Sequence, residues 1–100
     1  MLKLLKTPSR LGEKAKSVET IWKVTNGKML NFQFRKGEEI AEHDVGKEVL
    51  NNVRNVTVCF TVEGVAVQVG EENILYMTPL EKHRLYAKTD ADLCVVQIVP

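Results

Sequence analysis

From residue 17 onward the chain alternates apolar and polar side chains, and turn signals interrupt that alternation every ~8–12 residues. Leu30, Phe32 and Phe34 alternate with Asn31, Gln33 and Arg35, and Val56, Val58, Phe60 and Val62 alternate with Thr57, Cys59 and Thr61. Val18, Thr20, Trp22 and Val24 do the same against Glu19, Ile21 and Lys23. A period of two belongs to the strand, because successive side chains leave an extended backbone on opposite sides. Asn26-Gly27 is a hairpin signal, since both residues tolerate positive φ. Lys36-Gly37, Glu63-Gly64, the stretch from Gly70 to Asn73 and the TDAD segment at 89–92 turn the chain again. About eight short strands separated in this way specify an all-β domain, a sandwich or a barrel, with little helix. One segment is ambiguous: in GKEVLNNVRN, residues 46–55, Val49, Leu50 and Val53 have helical spacing. Asn51-Asn52 propagate a helix poorly, so an irregular strand competes with it.

A chain of 100 residues holds one hydrophobic core. Residues 1–16 are polar and lysine-rich, with Pro8 and Gly12; they read as an arm with at most one helical turn, leaving 17–100 as the barrel domain. Fourteen basic side chains balance thirteen acidic ones, so no basic stripe argues for nucleic acid. The opening MLKLLK begins like a signal peptide, but its apolar run stops at Leu5 and Lys6. No apolar stretch approaches the ~20 residues needed to cross a bilayer, and the expectation is a soluble, cytoplasmic protein. Cys59 and Cys94 each sit in an apolar run and form no CxxC pair; they read as buried, reduced thiols.

His43 and His83 are the two histidines of the chain. Strand parity groups His43 with Ala41 and Val45, an apolar setting that predicts an inward-facing ring. It groups His83 with Leu85 and Ala87, against Arg84, Tyr86 and Lys88. Two imidazoles converging inside a barrel would supply two metal ligands, and zinc or non-haem iron needs at least one more donor. Glu48 is the candidate by position. The same rings could instead be polar residues hydrogen-bonded to backbone carbonyls.

The succession LNFQFRKGEEIAEH, a valine-rich strand with FTVEG, a turn, then ILYMTPLEKHRLYA and a last apolar strand resembles the cupin superfamily over residues 28–99. That resemblance implies a small antiparallel jelly-roll barrel, often homodimeric, with a metal at its mouth. The family's first motif has Gly, five residues, His, one residue, His, three or four residues, Glu, six residues, Gly. Gly37 and His43 match it, Val45 takes the second histidine's place, and Val49 or Leu50 takes the glutamate's, with Glu48 one residue short. Val56 or Thr57 stands where the motif closes on glycine. Of the second motif, anchored on His83, the histidine alone remains: Glu72, Thr78, Leu80 and Ala87 hold its other positions, and Pro79 is displaced by one.

The expected function is therefore a small-molecule-binding barrel whose pocket is lined by His43, Val45, His83, Phe60 and Tyr76. One divalent transition metal (iron, manganese, nickel, copper or zinc) is expected on His43, His83 and Glu48 if a bulge turns that glutamate inward. The alternative is a metal-dependent enzyme of dioxygenase or isomerase type using the two histidines. A homodimer is the expected assembly.

Overall fold

Nine strands make up the regular structure of the described residues, 3–9 and 16–100 of a computed structural model. They are β1 (Lys16–Val24), β2 (Gly27–Phe34), β3 (Glu39–His43), β4 (Glu48–Val53), β5 (Val58–Val62), β6 (Val65–Val69), β7 (Ile74–Met77), β8 (His83–Ala87) and β9 (Ala91–Ile98). The ambiguous segment at 46–55 is strand, because β4 finds ladder partners on both sides, β7 and β9. Those long-range backbone bonds override its helical spacing.

The strands form two antiparallel sheets, ordered β1-β2-β9-β4-β7 and β3-β8-β5-β6. Each presents one apolar face to the other, as in a jelly roll. On β2 and β9 the pairs Leu30 with Val95, Phe32 with Leu93 and Phe34 with Ala91 stand in register on that inner face. The opposite sheet answers with Val58, Phe60, Leu85 and Ala87, and Phe34 and Phe60 have no solvent exposure at all. On β8 and β9 alternation thus became burial, one side chain in two.

Two turns differ in mechanism. Between β5 and β6, Glu63 (φ 47°) and Gly64 (φ 80°) form the two-residue loop, both left-handed, as a tight hairpin with the sheet's own twist requires. Between β1 and β2 the turn falls one residue earlier than Asn26-Gly27 predicts. Val24 pairs with Gly27, so Thr25 and Asn26 are the loop, and neither Asn26 nor Gly27 has positive φ. Gly27 serves close approach instead: a Cβ there would stand 3.1 Å from the Gln97 carbonyl oxygen on β9.

The polar side of β2 is not wet, as alternation alone suggests. Asn31 and Gln33 are both about 3% exposed. Asn31 Nδ2 donates to Asp92 Oδ1 at 2.6 Å and to the Leu93 carbonyl at 3.2 Å; Gln33 Nε2 donates to Asn31 Oδ1 at 2.8 Å. The N-terminal arm supplies the lid, for Gln33 Nε2 also donates to the Pro8 carbonyl at 2.9 Å, and Arg54 donates to Thr7 Oγ1 at 2.7 Å. Of the expected arm, residues 3–9 have no regular structure and Lys16 already begins β1, while residues 1–2 and 10–15 lie outside the described residues. Cys59 and Cys94 are free but half-buried rather than buried. Each sits on the outward parity of its strand, out of step with Phe60 and with Val95.

Candidate functional site: a cavity with two imidazoles

His83 begins β8, the strand between β3 and β5, and its register partners are His43 on one side and Val62 on the other. The two rings meet across that pair, with centroids 4.3 Å apart and planes tilted by 57°. How His43 comes to face inward differs from the parity argument. Ile40 pairs with Leu85, yet His43 pairs with His83, so two residues on β3 oppose one on β8. This bulge puts Ile40 and His43 on the same side of β3, with His43 still exposed at the mouth of the cavity and Ala41 out of step with it. A bulge was the device needed for Glu48; it occurs on β3 instead.

Each ring is fixed by a carbonyl two residues earlier in its own strand region: His43 Nδ1 lies 3.0 Å from the Ala41 oxygen and His83 Nδ1 3.0 Å from the Glu81 oxygen. A carbonyl can only accept, so in the neutral imidazole Nδ1 carries the proton and Nε2 keeps a lone pair. The 78–81 turn that presents the second carbonyl is itself anchored. Thr78 donates its backbone N–H (2.9 Å) and its hydroxyl to Glu81 Oε1, and Leu80 N–H donates to the Val45 carbonyl at 2.8 Å. Those two bonds to Thr78 hold the Glu81 carboxyl below its ordinary value of 4.5. The turn therefore ties His83 to the end of β3 through backbone.

Around the rings lies a cavity of about 40 Å³, room for a few waters at ~10–15 Å³ each or for the narrow end of a ligand. His43, Val45, Phe60 and His83 line it. Its apolar wall is completed by Phe32, Ile40, Leu85 and Leu93, and its polar accents by Asn51 and Gln97. Asn51 and Gln97 were missed because a carboxamide in a strand reads as the wet face; inward parity with Val49 and Val95 is the signal that finds them.

Tyr76 and Glu48, also expected at the site, stand outside it. Glu48 takes the parity opposite to Val49, and its Oε1 accepts the Tyr76 hydroxyl at 2.7 Å on the outer side of the sheet. That bond keeps the phenol protonated, above its ordinary value of 10.0. Among the described residues no three of His, Cys, Asp and Glu come together. The donors present, two imidazoles with a hydrocarbon at Val45, do not fit a resident transition-metal centre, which takes at least three protein ligands.

Among the described residues no helix is long and apolar enough to cross a membrane. No family model matches the sequence, and no curated protein matches it. Solved structures do. A cupin superfamily protein from Desulfitobacterium hafniense superposes with a TM-score of 0.83 at 14% identity, covering 98% of this chain and 100% of its own. An RmlC-like cupin family protein with a double-stranded β-helix fold, from Methanocaldococcus jannaschii, gives 0.80 at 18% identity over 98% and 92%. Salicylate 1,2-dioxygenase from Pseudoaminobacter salicylatoxidans gives 0.77 at 14% identity, over 93% of this chain but 28% of that one. Two facing antiparallel sheets in jelly-roll order, together with these likenesses, give this chain the double-stranded β-helix fold of the cupin superfamily.

Proposed function

We propose that the protein binds a small, largely apolar molecule in the cavity between His43 and His83, and that the ligand offers a hydrogen-bond donor to the imidazoles. One observation carries this reading: both histidines line one largely apolar cavity, and each Nδ1 is occupied by a backbone carbonyl, so Nε2 is the nitrogen left to a ligand on each ring. An apolar cavity with a few convergent polar groups is the common form of a small-molecule site. The rings do not supply a donor to one another while both are neutral, so an incoming hydroxyl completes what the fold leaves open.

The experiment is a titration of the ¹⁵N-labelled chain with 1-butanol, following the imidazole nitrogens. The expected result is a shift of Nε2 in both rings, with binding lost in His43→Ala and in His83→Ala. Rings that stay unperturbed while other residues respond would remove the proposal.

The alternative, a metal-dependent dioxygenase or isomerase, draws support from the likeness to a salicylate dioxygenase and is opposed by the donor set. The homodimer would form on β1, an edge strand whose Val18, Trp22 and Val24 are 52%, 45% and 41% exposed; sedimentation equilibrium of a Val18→Lys variant tests it.

A further inference from the structure

The five-stranded sheet carries, near the end of its inner face, a row of side chains in direct register. Lys23 on β1 stands opposite Lys28 on β2, Lys28 opposite Gln97 on β9, and Gln97 opposite Val49 on β4. Lys47 precedes Val49 by two residues. Lys23, Lys28 and Lys47, with Thr25, line a second cavity of about 110 Å³. Like charges directly opposite on neighbouring strands are destabilising, and a third ammonium beside them compounds the repulsion. Lys28 and Lys47 are half-buried, which limits how far their charges can spread into water. Among the described residues no carboxylate lines this cavity, and none pairs with these three lysines. Gln97 lines both cavities. The row therefore concentrates positive charge beside the imidazole cavity without a counter-charge.

We propose that the lysine cavity is an anion site, which holds the carboxylate or phosphate of the same small molecule whose apolar part enters beside His43 and His83. The common chemistry is an oxyanion accepting N–H bonds from ammonium groups, bonds that are shorter and stronger than neutral ones. Placing an anion among Lys23, Lys28 and Lys47 turns a repulsive cross-strand row into an attractive one. The polar cavity takes the acid and the apolar one the hydrocarbon, with Gln97 lining both. The shared-ligand part rests on the function proposed above; the anion site is testable without it.

The test uses the full chain and three probes: inorganic phosphate, butyrate and 1-butanol, each titrated at low ionic strength and followed by two-dimensional NMR. Phosphate and butyrate are expected to shift Lys28, Lys47 and Gln97. The double variant Lys28→Gln, Lys47→Gln is expected to weaken both by about tenfold or more, the loss of a charge-assisted hydrogen bond, and to leave 1-butanol within about twofold. Its melting temperature in phosphate-free buffer is expected to equal or exceed that of the parent, since like-charge repulsion is relieved, and this separates lost binding from lost folding. The tighter of phosphate and butyrate identifies the acid group. Anion binding that is absent, or equal in parent and variant, overturns the anion site. Butyrate no tighter than 1-butanol overturns the shared ligand. Failure of 1-butanol to move either imidazole overturns the reading of the imidazole cavity alone, because the phosphate response does not depend on it.

Discussion

His43 and His83 are register partners at the ends of β3 and β8, and their ring centroids lie 4.3 Å apart. The pairing exists because a bulge on β3 shifts the strand by one residue just before His43. Forty positions of sequence separation are thereby reduced to a ring contact at the mouth of the apolar core.

Two imidazoles alone should bind divalent transition metals weakly, and a third nitrogen should change that. Val45 lines the same cavity, so Val45→His is expected to raise Zn²⁺ or Ni²⁺ affinity by at least about tenfold. Isothermal titration calorimetry measures it, and adding His83→Ala should abolish the gain. Equal affinity in parent and variant would show that position 45 cannot direct a donor at the pair.

Phe60 has no solvent exposure and joins the core to the cavity wall. Phe60→Ala is expected to cost about 3–5 kcal/mol, from lost burial plus the void left behind. Tyr86, 42% exposed on the outer face of the same sheet, should cost under about 1 kcal/mol on truncation. Urea denaturation of the two variants checks the contrast.

The carboxyl of Glu81 is lowered from 4.5 by its bonds to Thr78. A group depressed in the folded state contributes stability above its unfolded value and loses it as pH falls through the folded one. The parent should therefore lose more stability than Glu81→Gln on acidification from neutrality to below the ordinary carboxylate range. Urea midpoints of the two proteins should converge as pH drops; parallel decline would mean the bonds to Thr78 are immaterial.

Gly64 sits at φ 80°, with open space where a Cβ would go. Gly64→Ala meets no clash, so its cost is conformational alone, about 1–2 kcal/mol for a left-handed L-residue. Thermal unfolding should show the loss, while the β5–β6 pairing stays intact in amide exchange.

The period-two pattern was enough to specify strands, an all-β domain and the inward residues of its central strands, because alternation on an extended backbone leaves one side apolar whatever its partner; the jelly-roll order came from the family resemblance. Phe32, Phe34, Phe60 and Leu85 could be assigned inward on that ground, and His83 with them, since it keeps step with Leu85 and Ala87. Parity fails wherever a partner strand changes the count or covers a polar side. His43 turns inward beside Ile40 only because β8 sets the register of β3. Glu48 turns outward to Tyr76 because β4 stays regular between β7 and β9. Asn31 and Gln33 are buried because the distant arm and Asp92 satisfy their amides, and the lysine row exists only once β1, β2 and β9 lie side by side. Local periodicity is a property of the chain, legible residue by residue. Register, bulges and the company a polar group keeps are set by hydrogen bonds between segments far apart in sequence, and those the tertiary structure alone decided.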